Sequence, residues 1–143
     1  MTIREAGKEM GSVSETEKIT INLAPVDLGR IDVLVEQGVY GNRTDLIRTA
    51  IRNQLERHEP VIQEVTTRER YSLGVLVYGA RDLEKLREEG RMLSVRMVGM
   101  LTLTGSITPE LALETIESIS IRGKLVAPKA VRAALADRID TGR

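Results

Sequence analysis

Cysteine is missing from all 143 residues of the chain. That excludes a disulfide framework, a thiolate zinc site and a cysteine nucleophile. Tryptophan and phenylalanine are missing too, and tyrosine occurs three times, so a core must be built from Leu, Ile, Val and Met. There is one histidine, His58. It sits near a helix C-terminus, where a cation is favoured, and reads as structural, not as a metal ligand. An excess of charge is also lacking: 21 Lys and Arg balance 21 Asp and Glu. Any electrostatic footprint for nucleic acid must therefore be local. No apolar run approaches the roughly 20 residues of a membrane span. The opening "MTIREAGKEM" has no apolar stretch of the kind a signal peptide needs. A cytoplasmic protein without a membrane partner is the expectation. One histidine, no cysteine and scattered carboxylates form no catalytic constellation, and no P-loop pattern occurs. Neither enzyme activity nor a cofactor is expected.

What is present is organised. Residues 1–16 are polar and aperiodic and read as a flexible arm. In "KITINL", residues 18–23, Ile19, Ile21 and Leu23 alternate with Lys18, Thr20 and Asn22, the pattern of a strand with one apolar and one polar face. "PVDLGRIDVLVEQG" then carries Leu28, Ile31, Leu34 and Val35 at helical spacing, with Pro25 at the first turn and Gly38 past the end. A second helix is expected after Asn42 as N-cap, with Asp45 as an acidic variant of the capping box. Ile47, Ala50, Ile51 and Leu55 mark its apolar face.

This strand, helix, turn, helix unit spans only residues 17–58, too few to bury a stable core alone. Its single strand leaves a row of N–H and C=O groups unpaired. A two-fold dimer answers both problems. Two strands pair antiparallel, and Ile19, Ile21, Leu23, Leu28, Ile31, Leu34, Ile47, Ile51 and Leu55 form a shared core. Lys18, Thr20 and Asn22 then face outward on a two-stranded ribbon, which fits the DNA major groove. Asn pairs with adenine, Lys donates to guanine, and Thr bonds a base edge or touches a thymine methyl. The start of the second helix offers backbone N–H groups at Arg43 and Thr44 to a phosphate. Arg48 and Arg52, four apart, read more simply as a solvated surface.

The segment "KITINLAPVDLGRIDVLVEQGVYGNRTDLIRTAIRNQLERH" resembles a ribbon-helix-helix domain of the Arc, MetJ and CopG class of bacterial regulators. The resemblance implies an obligate homodimer on double-stranded DNA, with bases read by Lys18, Thr20 and Asn22. It places phosphate contacts at Asn42, Arg43 and Thr44. Within residues 17–58, the bases Lys18, Arg30, Arg43, Arg48, Arg52 and Arg57 face the acids Glu17, Asp27, Asp32, Glu36, Asp45 and Glu56. Non-specific affinity should be modest and salt-sensitive, so dimers binding side by side as a higher oligomer are expected to help.

Residues 59–70 break the helical period and read as a linker with extended character. From residue 71 to 139 three related runs follow, each with an apolar residue one or two positions before a Gly and Leu two positions after it. Gly74, Gly99 and Gly123 recur every 24 to 25 residues, the mark of a repeat. Asp82 and Thr108-Pro109-Glu110 signal helix starts, and a helix near Val131–Ile139 would cap the array before a tail at 140–143. The expected fold is α/β overall: an intertwined, dimeric ribbon-helix-helix domain, then a small solenoid-like α/β repeat. In the repeat, which resembles a short leucine-rich β-solenoid, Leu76, Leu101 and Leu125 would stack. The alternative is a β-α-β-β-α-β sensor domain like that of nickel-responsive regulators. The lack of its metal ligands and of a turn inside the middle strands disfavours it. A sequence-specific regulator, in the first instance a repressor, is the expected function, with assembly or a protein partner at the C-terminal domain. An antitoxin, or an assembly protein using its ribbon only to dimerise, are the alternatives.

Overall fold

A computed structural model describes residues 16–142 of the protein. The arm expected over residues 1–16 lies outside them, apart from Thr16. The described chain divides into two compact units, Thr16–Val65 and the residues from Thr66 onward.

The first unit holds two helices and most of a third. Pro25 opens α1 (Pro25–Glu36), where its fixed φ suits a helix start and its missing N–H costs nothing. Gln37 closes α1, and Gly38 follows in the left-handed conformation. α2 spans Arg43–Arg57 and is capped by the Asn42 side chain, which accepts from the Asp45 N–H at 2.8 Å. Asp45 reciprocates one residue further out than a capping box would, accepting from the Gly41 N–H at 3.1 Å. The expected linker is instead α3, Glu59–Arg68. Pro60 is tolerated because it sits in the first turn, where the N–H it lacks would have had no intrahelical partner. His58 ends α2, donating to Gln54 and Leu55, and its carbonyl accepts from Val61 and Ile62 to start α3. One residue breaks the helix, not twelve.

No residue of α1, α2 or α3 is buried in the single chain. Residues 16–24 take no regular secondary structure there. The strand expected over Lys18–Leu23 has no ladder partner, and a strand exists only through its partner's hydrogen bonds.

The second unit is a sheet of four parallel strands, β1 (Ser72–Tyr78), β2 (Leu93–Leu103), β3 (Ile116–Val126) and β4 (Ile139–Asp140), in sequential order. α4 (Ala80–Glu88), α5 (Pro109–Thr115) and α6 (Lys129–Ala134) follow β1, β2 and β3 in turn. α4 packs against α5 and α5 against α6, so the three helices share one face of the sheet. Leu83, Leu111, Ala112 and Val131 from the helices meet Val95, Met97, Leu101, Ile119 and Ile121 from the sheet in one buried core. Leu76 lies opposite Leu101, and Leu101 opposite Leu125.

The same register aligns Gly74, Gly99 and Gly123. All three have φ between +129° and +138°. A Cβ at Gly99 would stand 2.0 Å from the Gly74 carbonyl oxygen, and one at Gly123 2.0 Å from that of Gly99. The repeated glycine is thus a packing requirement between strands as well as a backbone one.

Two local details differ from the sequence reading, at Asp82 and at the last helix, and one agrees, at β2. Asp82 lies inside the first turn of α4 and caps it from there, its carboxylate accepting from the Gly79 N–H at 2.7 Å. β2 is one continuous strand where a sensor domain would have two. The last helix starts at Lys129 and ends at Ala134; a 3-10 turn, Ala136–Arg138, and the short β4 follow, so Ile139 and Asp140 are strand, not helix or tail. Arg138 donates to the carbonyls of Leu113 and Ile116, which satisfies the end of α5. Thr108 caps α5 from Leu111 N as expected, at 3.2 Å.

Candidate nucleic-acid interface

The interface has to be assembled from the ribbon segment and the start of α2. In the single chain Ile19 is 71% exposed, Ile21 55% and Leu23 42%. Leu34, Ile51 and Leu55 are exposed as well, while Leu28, Ile31 and Ile47 are half-buried. Each of these side chains belongs to the apolar stripe read from the sequence. So much exposed apolar surface on a small unit marks an interaction site. Lys18, Thr20 and Asn22 alternate with the three apolar residues and are exposed.

The start of α2 is better defined. Asn42, Thr44, Asp45, Arg48 and Arg52 line an open hollow of about 400 Å³. Helical spacing produces it: positions 44, 48 and 52 share a face, one turn above another. Two of the three expected phosphate residues, Asn42 and Thr44, are therefore gathered here. Arg48 and Arg52, read as a solvated surface, line the same hollow. The i, i+4 spacing behind Thr44 was the signal that could have joined them to it.

Arg43 is placed differently. Its Nε donates to Asp32 Oδ1 at 2.7 Å and its Nη2 to Asp32 Oδ2 at 2.8 Å. This two-pronged pair joins α1 to α2 across the inter-helix turn. The hydrogen bonds from Arg43, and then its charge, hold the Asp32 carboxyl below the usual carboxylate range and the guanidinium above its own. No motif marks a pair eleven residues apart.

A second polar cluster lies on the sheet face away from the helices. Tyr71 and Ser120 share a hydrogen bond of 3.0 Å. Arg96 and Arg122 stand 5.0 and 5.7 Å from the centre of the Tyr71 ring. Each guanidinium already has a carboxylate, Glu69 at 3.5 Å and Asp140 at 3.2 Å. The cluster ties β1 to β4 and leaves neither arginine for a ligand. Among the described residues no group of His, Cys, Asp and Glu could hold a metal ion, and no helix is long and apolar enough to cross a membrane.

An exposed, alternating segment before α1, exposed apolar residues on the helices and a capped, arginine-lined start of α2 are the features that a ribbon-helix-helix chain would carry. The comparison with known families agrees. The model of the ribbon-helix-helix transcriptional regulator family matches residues 14–132, and the chain belongs to that family. Membership implies DNA binding and dimerisation. The match runs through β3 into α6, so β1, β2 and β3 lie within the family pattern and β4 lies beyond it. No curated protein and no solved structure matches the chain.

Proposed function

We propose that the protein is a sequence-specific repressor whose two chains form one antiparallel ribbon in the major groove of double-stranded DNA. The observation that carries this reading is the exposure of Ile19, Ile21 and Leu23 in the single chain. Only a second copy covers these residues while turning Lys18, Thr20 and Asn22 outward. Those three residues read bases. Asn42 and Thr44 hold a phosphate with backbone N–H groups at the α2 start, and Arg48 and Arg52 supply charge one and two turns behind. Arg43 acts through Asp32, setting the angle at which α2 meets the backbone. The C-terminal unit is a short solenoid for assembly, without enzymatic activity, in a cytoplasmic regulator. Its buried core speaks against an antitoxin tail that orders only on its toxin.

Replacing Asn22 by Ala tests the reading. Specific binding should weaken by about 1–3 kcal/mol while the dimer stays folded. Mobility shift with operator and unrelated DNA, at two salt concentrations, reads it. Equal binding by variant and parent would end the ribbon-readout reading.

A further inference from the structure

The two edges of the C-terminal sheet are treated differently. The β4 edge is two residues long, carries Asp140, and is bridged by Arg122. Short strands and charge are how natural sheets keep an edge from pairing. The β1 edge is seven residues, "SLGVLVY", with no charge and no proline. Leu73 is 70% exposed and Val75 62%. The glycine column adds a second observation. At Gly99 and Gly123 the space beside the residue is filled by the carbonyl of the neighbouring glycine. Gly74 has the same backbone, φ +138°, and nothing within 4 Å of that position. The stacking geometry runs out to the edge and stops unfilled.

We propose that the β1 edge pairs antiparallel with β1 of the second chain of the same dimer, making one continuous sheet across a two-fold axis. The midpoint of the strand is Val75. A two-fold there sets Val75 against its own copy and Leu73 against the partner's Val77, all on the face away from the helices. The strand carries no charged residue, so no like-charge column forms when it meets its own copy. The contact is small. One edge of seven residues, roughly 23 Å long, is too narrow a contact to bury the ~800 Å² per partner of a free-standing dimer. Two chains already joined by their ribbons need less, because the second contact is then made within one dimer and not between free molecules. The inference thus rests on the ribbon dimer proposed above.

The absence of native cysteine makes a single introduced thiol a clean probe. In the full chain, Val75→Cys is compared with Glu88→Cys on exposed α4, under mild oxidation and with a short bis-maleimide. Val75→Cys should form covalent dimer about tenfold faster or more, at a rate unchanged by dilution, as expected within a tethered pair. Adding Ile21→Asp should slow it and make it concentration-dependent. A chain that is dimeric by light scattering but cross-links no faster at position 75 than at 88, or only on concentration, overturns the β1 pairing alone. A thiol at 75 that is shielded from reagent yet not cross-linked means another segment covers the edge, and overturns it too. A monomeric parent chain overturns the ribbon dimer, and the β1 pairing with it.

Discussion

Gly99→Ala tests the physical account of the sheet most directly. Gly99 has φ +134° and faces the Gly74 carbonyl. An alanine there pays about 1–3 kcal/mol for a backbone region that is essentially glycine's own. Its methyl would also stand 2.0 Å from the Gly74 oxygen and 3.0 Å from its carbonyl carbon, both backbone atoms. β1 and β2 must part by more than an ångström at the middle of their ladder to admit it. Overpacking of this kind costs a further 1–3 kcal/mol or so. The expected loss is about 2–6 kcal/mol, a large share of the roughly 5–15 kcal/mol that holds a domain together. Gly90→Ala is the control, since Gly90 has φ +65° with nothing within 4 Å; the left-handed conformation alone costs it about 1–2 kcal/mol. Urea unfolding reads both variants, followed by far-UV circular dichroism and by the emission of Tyr71 and Tyr78, which border β1. If Gly99→Ala proves no more costly than Gly90→Ala, close approach of the strands is not what the glycine column serves.

The remaining predictions concern the N-terminal unit. Arg48→Ala and Arg52→Ala should each weaken binding to all DNA sequences about equally and reduce the slope of log K against log salt by about 1, with specificity ratios unchanged; a slope equal to the parent's would remove that arginine from the interface. Asp32, followed by carboxyl NMR, should titrate below an ordinary aspartate, because Arg43 favours its charged form. The Asp32–Arg43 pair is then intact at neutral pH and is lost as pH falls through that depressed value. Arg43→Ala should return the Asp32 midpoint to the ordinary range, and an unmoved midpoint would refute the assignment.

Where each element was legible, a local rule was at work. Pro25, Asn42 and Thr108 start helices through their own side chains or ring, and each helix begins where they stand. The glycine spacing and the leucines two positions on foretold the register of β1, β2 and β3, because a repeat in sequence becomes a stack only when like positions adjoin. The failures came where the deciding partner is distant or the rule ambiguous. Residues 59–70 looked like an extended linker, and Glu59–Arg68 form α3 with Pro60 in its first turn. Asp82 looked like an N-cap, but the helix begins two residues earlier, where Ser106 accepts from the Ala80 N–H. Arg43 looked free for phosphate until the turn brought Asp32 to it. Arg48 and Arg52 looked like plain surface until the hollow they share with Asn42 was drawn.

The sequence by itself determined which residues are apolar, where the chain turns, and that a segment with two unlike faces precedes two helices too short to stand alone. These follow from alternation, capping and chain length, all local properties. Tertiary structure decided the rest. It set all three crossover helices on one side of the sheet, left an uncharged edge at β1, and engaged Arg43 with Asp32. Each of these depends on which groups meet across tens of residues, a matter of packing and register that no neighbouring residue encodes.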